Sequence, residues 1–225
     1  MASASVGLAR GGVRTGDLLL ACVADHGSAA QAFLGSDELL KGPDAWRNLA
    51  DAVHLLCTLH GRLPGVVDHA AKRSVDAASR AWFALATEGF AAERAFLARL
   101  AVAAGPVPST PGSADTEGTV LAQRHAIEML SQSERNGCAL GAAMAVVIDW
   151  SAIRRVLDAA GRRFGVESPP CRLGDVAAIR DLADGYAHSP SVQRALLFGA
   201  EQIAVQHFGL WDLLESRQQA RAAAG

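Results

Sequence analysis

Four side chains that can ligate metals or transfer protons are predicted to point towards the apolar faces of four different helices. The prediction comes from winding each helix at about 100° per residue and comparing directions. Glu93, for example, falls at the centre of the stripe that contains Phe90 and Phe96. A carboxylate buried there without a partner would be strongly destabilising, so a partner is expected. The four residues are His60, Glu93, Glu134 and His207.

Two hypotheses explain this pattern. Two Glu and two His side chains form an acceptable first coordination shell for iron, manganese or zinc, so one hypothesis is a metal centre inside a helical bundle. The other is that these side chains lie near helix ends, where they reach water or pair with arginines such as Arg94, Arg124 and Arg135. The second hypothesis is favoured, because the four residues lack the paired carboxylate-x-x-His arrangement of helical di-iron proteins.

One carboxylate-x-x-His motif does occur, at Asp51 and His54. The apolar face of that helix is set by residues such as Leu49, Val53 and Leu56, and both members of the motif point away from its centre. We therefore expect a solvated pair and not a ligand pair. Applied to the other helices, the same winding predicts that four further polar side chains point away from the centre of the apolar face of their helix. They are Glu88, His125, Glu128 and Glu201.

Tyr186 and His188 form a third candidate site at a predicted helix junction. Such a pair can serve as general acid and base, although packing and capping are the favoured roles. The four cysteines form no C-x-x-C pair, which argues against a structural zinc site and a disulfide framework. The chain contains neither a nucleophile elbow nor a phosphate-binding P-loop motif.

The elements that would position these residues are helices. Helical periodicity covers almost the whole chain, and strand signals are nearly absent. This pattern predicts an all-α fold, an antiparallel helical bundle of about seven or eight helices in which four long ones form the core. The predicted helices cover residues 16–34 with a break near 26–28, then 45–62, 66–73, 75–103, 116–135, 138–163, 173–186 and 190–221.

The helix over residues 138–163 is predicted to be the central one. Its first half is apolar all round and rich in small residues, which let helices approach closely; a dimer seam is the alternative role. Asp149, Arg154 and Arg155 are expected to mark where it emerges into solvent.

The chain is predicted to form one domain over residues 15–221. Residues 1–14 are expected to be a disordered segment, and residues 105–118, rich in Pro, Gly and Ser, an exposed loop within the domain.

Composition excludes several classes of protein. The formal net charge is −2, with no basic stripe, so no nucleic-acid partner is expected. The most apolar stretch, residues 138–148, is about eleven residues long, well short of the ~20 that span a bilayer, so no membrane association is expected. The four widely separated cysteines fit reduced thiols, and with the lack of a secretory signal they predict a cytoplasmic protein. Heavy use of Ala, Gly and Arg indicates a GC-rich bacterial genome.

No motif specifies a reaction. The leading hypothesis is a non-catalytic helical-bundle protein that needs no cofactor and binds a partner protein or a small apolar ligand, with homodimerisation as an option. The alternative is a ferritin-like oxidoreductase with an iron or manganese centre. Its ligands would be Glu93, Glu134, His60 and His207.

Overall fold

The computed structural model describes residues 13–224, and within that range it contains helices but no strand. The predicted all-α fold class is therefore confirmed, and the arrangement is a helical bundle. Most of the segment predicted to be disordered, residues 1–14, lies outside the described residues. The helices are α1 (Thr15–His26), α2 (Asp37–Leu40), α3 (Ala45–His60), α4 (Val66–Arg73), α5 (Ala77–Ala104), α6 (Ser113–Ser131), α7 (Cys138–Phe164), α8 (Val176–Tyr186) and α9 (Pro190–Ala224).

Most helix bounds lie close to the predicted ones, and α6 is the main exception. It begins after Gly112, whose φ of +74° places it in the left-handed region, so the exposed connection is shorter than the predicted loop 105–118. It ends at Ser131, where the amides of Gln132 and Ser133 turn back to bond the last carbonyls at 3.2 Å. The predicted extension to residue 135 is therefore wrong.

Helix α7 is the central helix, as predicted. It packs against α1, α3, α4, α5, α6 and, most extensively, α9. Two glycines make the α7–α9 seam very close: a Cβ on Gly141 would lie 1.9 Å from the carbonyl oxygen of Leu196, and a Cβ on Gly199 would lie 2.1 Å from that of Cys138. The two helix backbones therefore touch, which only glycine permits at these positions.

The interior is filled mainly by the aliphatic and aromatic faces of these helices. Trp150 and Trp211 are fully buried and Trp82 is buried, whereas Trp46 is 43% exposed. Among the described residues no helix combines the length and apolar character needed to cross a membrane.

Candidate functional site

The structure brings two of the four predicted side chains, His60 at the end of α3 and His207 in α9, into direct contact. Their Nε2 atoms are 2.9 Å apart, and both residues are buried. One hydrogen must lie between these atoms, because two unprotonated nitrogens would repel each other and two N–H groups would clash. The pair is therefore held together by a single shared proton.

Asp149 of α7 fixes the far side of this pair. Nδ1 of His207 donates to Asp149 Oδ2 at 2.6 Å, and Ser28 donates twice to the same carboxylate, from Oγ at 2.5 Å and from its backbone nitrogen at 2.9 Å. Gly27 permits this approach, since a Cβ there would lie 2.6 Å from Asp149 Oδ1. We call Ser28, Asp149, His207 and His60 the histidine relay.

His60 is the end of the relay that faces a gap in the packing. Burial lowers the pKa of His60 well below its usual range, and the neighbouring His207 and Arg94 lower it further. The gap beside it measures only about 20 Å³, which is room for about one water molecule. The relay can therefore hold a neutral histidine and orient a proton, but it has no space for an organic substrate.

Glu93 has the partner that its inward position predicts. Its carboxylate accepts from Nη1 of Arg154 at 2.7 Å and from Nε1 of Trp150 at 2.9 Å. The carboxylate is thus neutralised by an arginine of α7. The expectation that Asp149, Arg154 and Arg155 mark where α7 emerges into solvent is wrong for two of them, because Asp149 and Arg154 are both buried. Neighbouring helices cover α7 along most of its length, and only Arg155 of the three is exposed.

Glu134 does not point inward, so its predicted orientation is wrong. It lies in the turn beyond the end of α6 and is exposed, because the helical phase used to orient it stops at Ser131. The four predicted ligands therefore do not assemble into one donor set. Across residues 13–224, no group of three or more His, Cys, Asp or Glu side chains is placed to hold a metal ion.

Asp51 was expected to be solvated and is instead 1% exposed. Its carboxylate accepts from Arg217 Nη2 at 2.9 Å, Arg217 Nε at 3.1 Å and Arg221 Nη1 at 2.5 Å. Thr110 and Asn48 complete the group by accepting from the same guanidinium groups. The long helix α9 covers this side of α3, and winding α3 alone gives no sign of it. We call Asp51, Arg217 and Arg221 the arginine cluster.

A cleft of about 370 Å³ opens next to the arginine cluster. It lies between α3, the connection that follows α5 and the start of α6, and Arg217 forms part of its wall. We call it the loop cleft. Its other lining residues are His54, Leu55, Thr58, Val107, Pro108, Ser109, Ser113, Thr116, Glu117 and Val120.

Tyr186 and His188 do not form a side-chain pair. The Tyr186 hydroxyl donates to Asn136 Oδ1 at 2.6 Å, whereas His188 Nδ1 lies 2.8 Å from the backbone oxygen of Tyr186. Burial raises the pKa of Tyr186, and the nearby Asp76 raises it further. These contacts close the junction after α8, and they give the tyrosine no base to receive its proton.

Sequence reasoning found His60, His207 and Glu93 but missed Asp149, Arg217 and their partners. The sequence did contain a signal for Asp149. It is a carboxylate within the apolar run of α7, and its position in the middle of that helix argues for burial.

The sequence model described as "Family of unknown function (DUF6975)" matches residues 23–222 of the chain. That range contains the whole of the histidine relay, the arginine cluster and the loop cleft. No curated protein and no solved structure matches the chain.

Proposed function

The chain belongs to the DUF6975 family, and we propose that it is a non-catalytic helical-bundle protein that binds a small, largely apolar ligand with an anionic end. The loop cleft is the binding site. The observation that carries the proposal is a cleft of about 370 Å³ whose wall includes the buried arginine Arg217.

The size and lining of the loop cleft suit a small organic molecule. Ligand pockets in proteins are usually about 300–1,000 Å³, mostly apolar, with a few fixed polar groups. Here the apolar contacts come from Leu55, Val107, Pro108 and Val120. The ligand body would pack against these side chains and leave one end at Arg217.

Charge favours an anionic end on the ligand. Arg217 and Arg221 share the single carboxylate of Asp51, so the arginine cluster has one surplus positive charge. Glu117 also lines the cleft, but it is exposed and its charge is screened by water. A carboxylate is the natural complement, because guanidinium groups donate paired, charge-assisted hydrogen bonds to it.

The other polar groups of the interior support a binding role over a catalytic one. The histidine relay has room for about one water molecule, and Glu93 is occupied by Arg154 and Trp150. No observation favours the ferritin-like alternative. We also propose a cytoplasmic location, because the four cysteines are unpaired.

The proposal is tested with a fluorescent apolar probe, 1-aminoanthracene, and two competitors of equal chain length, decanoate and decanol. Decanoate should displace the probe at least about tenfold more effectively than decanol, the factor that one charge-assisted hydrogen bond of about 1.5–3 kcal/mol supplies. Ser109→Phe fills the exposed mouth of the cleft and should abolish displacement.

Ser216→Phe is the matched control, because Ser216 is also exposed and lies on α9 outside the cleft lining. It should bind the probe like the unmodified protein. Failure of both competitors, or equal loss of binding in Ser109→Phe and Ser216→Phe, would contradict the proposal.

A further inference from the structure

We propose that residues 106–111 form an autoinhibitory strap, which occupies the donor groups of Arg217 that the anionic end of the ligand needs and leaves them when the ligand binds. The inference rests on the ligand proposed for the loop cleft, and it concerns how that site is regulated. The strap makes up most of the connection between α5 and α6. Three of its residues, Val107, Pro108 and Ser109, line the loop cleft.

The arginine cluster holds the strap against the bundle. Thr110 is the one buried residue of the strap, and its Oγ1 atom accepts from Arg217 Nη2 at 3.1 Å and from Arg221 Nη1 at 2.7 Å. The backbone oxygen of Pro108 accepts from Arg217 Nη2 at 3.3 Å. No amide of the strap donates a backbone hydrogen bond to another residue of the range 13–224. A few guanidinium hydrogens therefore keep the strap in place.

The two ends of the strap are fixed, and glycines flank it. Gly105 and Gly112 have φ values of +75° and +74°, and a Cβ on either would meet nothing within 4 Å, so the backbone can rotate there without a collision. The backbone oxygen of Gly105 lies 2.8 Å from His54 Nε2, and that of Thr110 accepts from Ser113 Oγ at 2.6 Å. The residues between these two anchors can swing out of the cleft while the ends stay attached.

The Nη2 group of Arg217 has more acceptors than hydrogens. It carries two hydrogens, yet three oxygens lie within hydrogen-bond distance of it. Asp51 Oδ1 is at 2.9 Å, and the strap oxygens of Thr110 and Pro108 are at 3.1 Å and 3.3 Å. A ligand carboxylate at this guanidinium group competes for the same hydrogens.

The strap oxygens are the ones that a ligand displaces. Hydrogen bonds between charged groups are about twice as strong as those to neutral acceptors. A ligand carboxylate therefore replaces the hydroxyl of Thr110 and the carbonyl of Pro108, whereas the Asp51 carboxylate stays. Because only an anionic ligand needs Arg217, the strap lowers the affinity for anions and leaves the affinity for neutral molecules of the same shape unchanged.

Heteronuclear NOE measurements on the isotope-labelled full-length chain test the release of the strap directly. The amides of Val107 and Ser109 should be rigid in the ligand-free protein. As decanoate displaces the bound 1-aminoanthracene, their NOE values should fall well below those of the helices, since the freed segment moves on the fast timescale that this measurement detects. Decanol, added until it displaces the probe to the same extent, should leave both amides rigid.

Thr110→Val removes the oxygen that both arginines bond while keeping the shape of the side chain. Decanoate should bind this variant about threefold to tenfold more tightly, because the ligand no longer has to break a neutral hydrogen bond of the strap. The affinity for decanol should change less than about twofold. Thr110→Ser keeps the hydroxyl and should bind decanoate like the unmodified chain.

Thr119→Val is the matched control, because Thr119 is exposed on α6 and lies outside the cleft lining. Its affinity for decanoate should equal that of the unmodified chain.

Rigid Val107 and Ser109 amides in the decanoate complex would overturn the inference and leave the proposed ligand site intact. A Thr110→Val variant that binds decanoate no better than Thr119→Val would have the same meaning. If decanoate does not displace the probe from the unmodified chain, the proposed function and the inference are both wrong.

Discussion

The histidine relay and the arginine cluster are two buried polar groups with different surroundings. In the relay, Asp149 accepts from Ser28 and His207 within the core, and the remaining gap has room for about one water molecule. In the cluster, two arginines share one carboxylate, and Arg217 borders an open cleft. The first group is closed and serves the fold, whereas the second has surplus charge and an opening, which suits a ligand.

The packing around the two groups also differs: it is tighter around the histidine relay than around the arginine cluster. The relay spans the α7–α9 seam, where Gly141 and Gly199 bring the backbones into contact. The cluster lies at the edge of the bundle, beside the connection between α5 and α6. Tight packing leaves no space for a substrate, and looser packing creates the cleft.

The largest effect is expected from Asp149→Ala, which leaves the Ser28 and His207 donors unpaired in the core. Removing one member of a buried charged network costs about 3–5 kcal/mol of unfolding free energy, measured by urea denaturation. Asp25→Ala, at an exposed position of α1, is the control and should change stability by less than about 0.5 kcal/mol. If Asp149→Ala lowers the free energy of unfolding as little as the control does, the relay does not stabilise the fold.

Asp51→Ala should also destabilise the protein, by about 2–4 kcal/mol, because it leaves two arginines without their carboxylate. The loss should be smaller than for Asp149→Ala, since Arg221 is only partly buried and can turn towards water. Adding Arg217→Met to Asp51→Ala should recover part of the loss in the same urea titration. If the double variant is less stable than Asp51→Ala, the surplus charge is not the source of the destabilisation.

Gly141→Ala tests the close seam. The new Cβ would collide with the Leu196 backbone, so α7 and α9 must separate, at a cost of about 1–3 kcal/mol. Gly118→Ala in α6 is the matched control, because a Cβ there meets nothing within 4 Å. It should raise stability by about 0.5–1 kcal/mol, since alanine favours a helix interior. Similar unfolding midpoints for the two variants would contradict the close contact.

The smallest effect is the pH dependence that His60 contributes. Its pKa in the folded protein lies below the usual 6.5, so below pH 6.5 the unfolded chain binds more protons than the folded one. Stability should therefore hold above pH 6.5 and fall as the pH drops below it, with a slope approaching about 1.4 kcal/mol per pH unit. His60→Gln should reduce this slope in urea titrations at pH 5–7, whereas His26→Gln, at an exposed site, should not.

Helical phase predicted burial correctly where the helix continued regularly, and it failed where the helix ended early or where another helix covered the predicted outer face. It turned Glu93 and His207 inward correctly, because both lie in the middle of long regular helices. It failed for Glu134, because α6 stops at Ser131. It also failed for Asp51, whose burial comes from α9 and not from the apolar face of α3.

The sequence by itself determined the helices, the central position of α7 and three of the polar groups that point inward, because these follow from periodicity and side-chain size along one segment. Only the tertiary structure decided which polar groups meet. Ser28 reaches Asp149 across 121 positions of the chain, and Arg217 reaches Asp51 across 166. Such pairings depend on how helices cross, and local patterns in a single sequence carry no information about that.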